Sequence, residues 1–540
     1  MRAAILRHAF LLLSLALPAA QAVEPPPADK GPVFDILEFD ISGNTVLANN
    51  VIENAVYPYL GLEREVLDVE KARAALERSY HENGYLSVEV KIPEQPVTEG
   101  LIRLQVYEGS VERLKVSGNK YSSRSTLRAE VPSLAAGSVP HYPTMQEELG
   151  ELGRMSDRRV TPLLRPGQFP GKMEVELAVE EELPFHGSLE LNNKQSPDTS
   201  KQRLEASLRY DNLFQRGHSA SLFYITAPEK SNEVDVLLAG YRVPLGQGRS
   251  LSAYWLSADS NIATAGDSTV IGNGSLLGMR LGLPLLTPTG LSKTFFHSLS
   301  LGFDSKDFRE RQTVLSTDQK TSPLRYTPLV GQYSFGYFGS AGEWLGNLTV
   351  TAGMRGSSQR QVECYPGIQI EQFSCRRAGA KPNFITLRGD LTYTYRIVGW
   401  ELLARGDFQA AGQPLVSNEQ FVAGGIDSVR GYFEGETAGD MGWRLRGEIK
   451  TPSLLGNEST NLRALTFVDA AGLRLVDPLP GQQDTWSLSS VGLGVRVKAP
   501  KGLQLSIDWA RALSNGANSL NGYRTASGSD RIHVRLGTSF

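Results

Sequence analysis

The chain has 540 residues, two cysteines, 21% charged residues and a formal net charge of −3. That length suits more than one domain. The mild acidity and the lack of any basic stripe exclude a general nucleic-acid binder, so nucleic acid is not expected as a partner.

Residues 1–22 read as a secretory signal peptide. Arg2 and Arg7 supply the positive start, Ala9 to Leu17 is apolar apart from Ser14, and Ala20-Gln21-Ala22 is a small-x-small cleavage site. The apolar run is too short to span a bilayer as a helix, which needs about 20 residues. Loss of Arg2 and Arg7 takes the formal charge from −3 to −5. An exported chain without a spanning helix crosses a membrane only as a closed barrel, because open strand edges cannot sit in lipid.

Residues 23–32 form a short segment in which Pro25-Pro26-Pro27 rules out a helix interior. Residues 33–183 have a different texture. Phe39-Asp40-Ile41-Ser42-Gly43-Asn44 recurs as Leu114-Lys115-Val116-Ser117-Gly118-Asn119. In both, an alternating strand runs into a Gly-Asn turn and then a helical stretch. The repeat divides the region into two small domains, 33–109 and 110–183. In the first, Val33 to Ile41 reads as a strand and Ala48 to Tyr57 as a helix, with Pro58 after it. Asp68 is the expected N-cap of a second helix, with Val69, Ala72, Leu76 and Tyr80 on one face and Asn83-Gly84 closing it. Tyr85 to Ile92 and Leu101 to Tyr107 complete the order strand, helix, helix, strand, strand. The second copy ends in the turn Arg165–Gly171 and the strand Met173 to Val179. Sheets this small leave an edge open to an extended peptide, or they act as a rigid spacer.

From Pro184 to Phe540 the chain reads as short alternating segments with turns between them. Ile385, Leu387, Gly389, Leu391, Tyr393 and Tyr395 share one face; Thr386, Arg388, Asp390, Thr392, Thr394 and Arg396 share the other. Trp443, Leu445, Gly447 and Ile449 alternate in the same way with Arg444, Arg446, Glu448 and Lys450. The polar face is densely charged, as a wet lumen allows. Connection length alternates too. Short turns are expected near Leu213–Gly217, Leu245–Arg249, Ser340–Glu343, Val398–Gly399 and Pro500–Gly502. Long loops are expected near Ala258–Ser275, Arg309–Pro323, Ser357–Pro382, Ala411–Asp440 and Ala512–Asp530. Short periplasmic turns and long outer loops are the asymmetry of a membrane barrel. The count is sixteen strands, with residues 33–183 on the periplasmic side. Cys364 and Cys375 fall in one outer loop, where an oxidising route favours a local disulfide. Two thiols with no nearby His are not a metal site, and no metal is expected. The chain ends on the aromatic Phe540, after an alternating strand.

An exported chain with two such domains before a sixteen-stranded barrel resembles the outer-membrane transporters of two-partner secretion, the hemolysin secretion/activation and filamentous-hemagglutinin transporter family. The small domains resemble polypeptide-transport-associated (POTRA) domains. The resemblance rests on the two Ser-Gly-Asn repeats, Tyr80 with Gly84-Tyr85, the Arg165–Gly171 hairpin and the tetrad Val429-Arg430-Gly431-Tyr432. It implies an all-β membrane protein of the bacterial outer membrane. The antiparallel barrel, 184–540, would follow two periplasmic α+β POTRA domains. It implies a secreted exoprotein as partner, of hemolysin or adhesin type, whose N-terminal secretion domain pairs with the POTRA domains. Outer-membrane lipid and the barrel assembly machinery are further implied partners, and no cofactor is.

In that family the sixth outer loop folds back into the lumen, and its Arg pairs with the Asp of a Phe-x-Asp-x-Gly motif on the inner wall. Phe467-Val468-Asp469-Ala470-Ala471-Gly472 carries Phe467 and Asp469 at that spacing, with Gly472 one position late. The resemblance therefore implies an Arg430–Asp469 pair, with Phe467 and Gly472 beside it. Many relatives also plug the pore with an N-terminal helix; residues 23–32 offer no counterpart, which leaves the sixth loop as the main obstruction.

A lone pore Arg could equally set ion selectivity. The neighbours of Arg430 favour a pairing role: Gly424-Gly425 permits a sharp turn and Gly431 a close approach to the wall. No His-Glu-x-x-His, Gly-x-Ser-x-Gly or phosphate-binding glycine loop occurs, so no enzyme is expected. Two alternatives stand beside a transporter: a barrel-assembly insertase of the same superfamily, and a passive porin.

Overall fold

The structure, a computed structural model, describes residues 33–540 apart from 97–98, 170, 198, 266–267, 288–289, 291–293, 311–321, 341, 366, 456–458 and 520–521. The expected signal peptide and the segment 23–32 lie outside the described residues. Contacts divide the chain into two compact units. One holds the residues up to Lys115 with Ser133–Gln146 and Leu164–Val175. The other holds Val116–Pro132, Glu147–Leu163 and Glu176–Phe540.

The first repeat contains β1 (Val33–Ile36), β2 (Glu38–Ser42), α1 (Asn49–Val56), β3 (Gly61–Glu65), α2 (Val66–Glu82), β4 (Val88–Lys91) and β5 (Leu101–Glu108). The single strand expected over Val33–Ile41 is broken at Leu37. Its first half pairs antiparallel with β3, and its second half runs parallel to β5, with β4 on the far side of β5. Gly61-Leu62-Glu63-Arg64-Glu65 has no apolar alternation, so β3 is not legible as a strand. Asp68 is not the N-cap of α2. Glu65 takes that position and Asp68 bonds back to its N–H at 3.3 Å, a reciprocal capping box. The face Val69, Ala72, Leu76 and Tyr80 is buried as expected.

The second repeat follows the same plan: β6 (Ser110–Ser117), α3 (Arg124–Ala129), α4 (Tyr142–Leu152), β7 (Arg158–Pro166) and β8 (Lys172–Glu181). Its sheet order, β6-β8-β7, matches β2-β5-β4. The repeated glycines do the same work. Gly43 and Gly118 have φ +87° and +78°, and a Cβ on either would collide with the carbonyl oxygen of Val106 or Val179 on the neighbouring strand. Two carboxylates at the strand ends repeat as well. Glu108 accepts from the N–H groups of Thr45 (2.6 Å) and Val46 (3.1 Å). Glu181 accepts from those of Lys120 (2.7 Å), Tyr121 (2.6 Å) and Ser122 (3.1 Å). Each acid satisfies the backbone that leaves the glycine turn.

The remaining strands are β9 (Phe185–Asn192), β10 (Arg203–Leu213), β11 (His218–Thr226), β12 (Val234–Gly246), β13 (Arg249–Ala265), β14 (Ser268–Pro284), β15 (Phe295–Glu310), β16 (Ser322–Tyr326), β17 (Leu329–Gly339), β18 (Gly342–Ala352), then, after an outer loop, β21 (Ile385–Ile397) and β22 (Trp400–Ala411), and, after the next, β25 (Met441–Lys450), β26 (Asn461–Arg474), β27 (Thr485–Lys498), β28 (Gln504–Ala512) and β31 (Asp530–Ser539). Of the elements between, α5 (Arg355–Ser358), β19 (Gln361–Tyr365), β20 (Ile368–Glu371) and α6 (Gln372–Arg376) lie in the fifth outer loop, β23 (Phe421–Ala423) and β24 (Thr437–Gly439) in the sixth, and β29 (Asn518–Ser519) and β30 (Gly522–Tyr523) in the eighth. Because β16 and β17 both pair with β15, they are two halves of one strand, and the antiparallel barrel closes with sixteen. The loop expected over Ala258–Ser275 is instead the extended arms of β13 and β14, paired out to Ala265↔Ser268. The apolar residues there, Ala258, Ile262, Val270 and Ile271, keep no sustained two-residue period, so the strands are not legible in the sequence.

Alternation sets the two faces. On β26, Val468 is 54% exposed on the outer surface while Asp469 beside it is fully buried within. The barrel closes where β31 pairs with β9, from Arg535↔Asn192 to Ser539↔Ser188, and Phe540 and Gly187 exchange backbone hydrogen bonds at 3.0 Å. The ring of Phe540 lies across Gly187, where any Cβ would strike it, and tilts against Phe185. Cys364 and Cys375, eleven residues apart, are paired in a disulfide.

Candidate functional site

The sixth outer loop runs from β22 to β25 and turns back into the lumen. Gly424 and Gly425, at φ +107° and +106°, make the reversal; a Cβ on Gly424 would lie 2.5 Å from that of Glu436, and one on Gly425 would strike the Glu434 carboxylate. The side chain of Arg446 on β25 secures the turn by donating to the carbonyls of Ile426 (2.8 Å) and Ser428 (3.0 Å).

At the inner wall Arg430 is 1% exposed. Its Nε and Nη2 donate to the two carboxylate oxygens of Asp469 at 2.7 and 2.8 Å, and its backbone N–H donates to Oδ2 at 3.1 Å. This planar fork is the geometry that Arg offers and Lys does not. The guanidinium lies 3.4 Å from the ring centroid of Phe467, stacked on its face. Gly431 donates its N–H to Nε2 of His533 at 2.9 Å, which makes that nitrogen the acceptor. The Tyr432 hydroxyl sits 2.9 Å from the carbonyl of Ser489 and 2.7 Å from that of Ser514. Val429 and Tyr432 are fully buried in an apolar cluster with Ala471, Leu473, Leu488 and Ala512.

The structure thus brings Val429, Arg430, Gly431, Tyr432, Phe467 and Asp469 together. Gly472 is not at the site. One residue along a strand reverses the face: Ala471 takes the inward place, whereas Gly472 lies under Trp443 on the outer surface. Most of the charge at the site was also missed from sequence. Arg430 Nη1 is 2.8 Å from Glu448 and 3.8 Å from Asp508, Arg446 is 3.5 Å from Asp469, and Arg496 forks onto Asp508 at 2.7 and 2.8 Å. All these side chains sit on the inward parity of β25, β26, β27 and β28, which was the signal available.

Three further stations hold the loop. Asp427 pairs with Lys194 at 3.3 Å and with Arg535, so the loop tip touches the chain leaving β9 and also β31. Buried Glu419 pairs with Lys306 at 2.6 Å and accepts from the Tyr326 hydroxyl at 2.6 Å. Asp440 accepts the guanidinium fork of Arg377, two residues beyond Cys375, and the N–H of Val476 at 2.7 Å.

Comparison with known proteins agrees with this architecture. Residues 171–497 match the family model of the haemolysin secretion/activation proteins ShlB/FhaC/HecB, and residues 34–109 match the ShlB-type POTRA domain. The outer membrane transporter CdiB of Dickeya dadantii is 24% identical over 78% of this chain and 73% of its own length. The heme/hemopexin transporter protein HuxB of Haemophilus influenzae is 19% identical over 88% and 82%. Among solved structures, CdiB from Escherichia coli superposes with a TM-score of 0.63 at 19% identity, covering 96% of this chain and 93% of that one. BamA from Haemophilus ducreyi without its first three POTRA domains gives a TM-score of 0.53 at 14% identity, covering 94% and 100%.

Proposed function

We propose how this chain works from one premise: it belongs to the haemolysin secretion/activation protein family. Its members are outer-membrane transporters of two-partner secretion, with POTRA domains in the periplasm, and this chain is one of them. Its partner is a secreted exoprotein. The exoprotein reaches the periplasm unfolded, and its N-terminal part adds a strand to the open edges of the two small sheets. It then threads the barrel and folds outside, which gives direction without nucleotide. The sixth loop is the obstruction in its path, and Arg430 on Asp469 is the latch that seats the loop.

The observation that carries this reading is the burial of Arg430 in a two-pronged bond to the wall, at the tip of a loop returning from the cell surface. A pore charge that set selectivity would face water instead. The pair is a positioning device rather than a large stability term, because desolvation opposes the attraction. Removing either partner alone leaves the other buried with only its remaining neighbours, Arg446 beside Asp469 or Glu448 beside Arg430, so the two losses share one cause. Secretion by Arg430→Ala, Asp469→Ala and the double variant tests this. The double variant should be no worse than the poorer single one, whereas additive defects would defeat the latch. The chain is read as a transporter without chemistry of its own.

A further inference from the structure

We propose that Asp157, His186 and Asp211 form a binding site for a divalent transition cation of the zinc class. The three come from different places. Asp157 lies just before β7 of the second small domain, His186 on the first barrel strand β9, and Asp211 near the periplasmic end of β10. One ligand atom from each lies within 4.8 Å of the others. His186 Nε2 is 3.0 Å from Asp157 Oδ1 and 3.9 Å from Asp211 Oδ2. Two ligands each about 2.1 Å from a tetrahedral metal lie about 3.4 Å apart, so the set needs only small adjustments to enclose an ion.

Two atoms point to a missing partner. Asp157 is 8% exposed, and its Oδ2 is buried without a hydrogen-bond partner. His186 Nε2 is likewise buried and has none, although it touches Asp157 at 3.0 Å. The pair is close without hydrogen-bond alignment, which an ion-pair distance alone does not reveal. A buried carboxylate oxygen and a buried imidazole nitrogen, both unspent, are what a cation would satisfy. One imidazole with two carboxylates suits zinc or a neighbouring transition metal better than magnesium or calcium, which take oxygen ligands.

The surroundings define what must move. Asp211 Oδ2 accepts from Arg209 Nε at 2.9 Å and Oδ1 from the Ser219 hydroxyl, while Ser156 donates to Asp157 Oδ1 at 3.0 Å. Arg209 is half exposed and is the group an ion would displace. Ser219 remains to orient Asp211, as outer partners of metal ligands commonly do. The site would staple the loop before β7 onto the first two barrel strands. Close by, the N–H of Glu182, in the link from β8 to β9, donates to the Asp157 carbonyl (2.9 Å), and the Asn212 amide of β10 donates to the Ser122 hydroxyl ahead of α3 (3.3 Å). Nothing in the sequence pattern leads to this site, because the three ligands are far apart along the chain and share no motif.

The test uses the full-length transporter in detergent, purified with a tag free of histidine and stripped with a chelator. Zinc chloride is titrated by calorimetry, and cobalt(II) chloride is added in parallel for its visible spectrum. The expected result is one zinc per chain, with affinity about tenfold or more weaker in His186→Ala and Asp157→Asn, since even outer-shell partners contribute that much. Arg209→Ala should bind zinc at least as tightly as wild type. Magnesium chloride should give no comparable signal. Zinc binding that is absent, or unchanged in both ligand variants, overturns the site. If the variants do not insert as folded barrels, the wild-type protein decides: intense four-coordinate cobalt bands support the site and their absence refutes it.

Discussion

Arg430→Ala tests the latch in free-energy terms. The substitution removes both prongs on Asp469 and leaves that carboxylate fully buried, with Arg446 at 3.5 Å as its remaining cation. Truncating one partner of a buried pair costs roughly 3–5 kcal/mol. Arg446 offsets part of this, so about 3 kcal/mol is expected for the seated loop. At about 1.4 kcal/mol per factor of ten, the seated-to-released ratio falls about a hundredfold. A loop released in about one molecule in a thousand would then be released in about one in ten. Planar-bilayer recordings read this directly: the variant should show more frequent and larger openings than wild type, and secretion should fall sharply while the barrel stays inserted. Arg430→Lys keeps the charge but loses the fork, and should fall between wild type and the alanine variant. Wild-type conductance together with wild-type secretion in Arg430→Ala would refute the reasoning.

Three other outcomes follow from the same structure. Burial pushes the Glu181 carboxyl up, but the Ser122 hydroxyl and the N–H groups of Lys120, Tyr121 and Ser122 outweigh it and hold the group below its ordinary 4.5. A depressed carboxylate stabilises the fold above about pH 4.5 and loses that contribution as pH falls through its folded value. Exchange protection of residues 116–132, corrected for the intrinsic pH dependence of amide exchange, should therefore fall on acidification, and Glu181→Gln should lower it already at pH 7. Gly187→Val should drive the Phe540 ring from its place across the closing strands and lower the yield of heat-modifiable barrel, with Phe540→Ala doing the same. Reduction of Cys364–Cys375 opens a loop worth about 3 kcal/mol or less of local constraint. Exchange should rise around Arg377 and Asp440 while the barrel remains resistant to mild detergent.

The barrel was legible because alternation over long strands is a strong signal. Parity alone assigns the charged side chains of Trp443–Lys450 to the lumen, and Arg446 and Glu448 do line it. What escaped has physical causes. The arms of β13 and β14 break the two-residue period, with Val270 and Ile271 adjacent and small or polar residues around them, so Ala258–Ser275 reads as loop. The strand Gly61–Glu65 is a polar edge and carries no period. Gly472 went to the wrong face because a strand reverses its side chains at every residue. Glu419 sits in a single 3-10 turn and Asp427 and Asp440 in loop, where no periodicity says which way a side chain points. The pair Arg430–Asp469 was reached through a family resemblance, not through spacing. The repeated glutamates Glu108 and Glu181 were available in the sequence, because each ends the last strand of its repeat.

An exoprotein that crosses through this lumen must pass the inward-facing side chains of the wall. A photo-crosslinking residue is placed on either face of one strand, and the partner exoprotein is stalled with a tightly folded fusion. Asn347 lies on the inward parity with Asp390 and Gln332, whereas Leu348 is 42% exposed on the outer surface. Passage through the lumen should give adducts between the stalled exoprotein and position 347, none at 348, and loss of the adducts when residues 33–183 are deleted. Equal crosslinking at both positions, or none at 347 with the exoprotein still secreted, would contradict it.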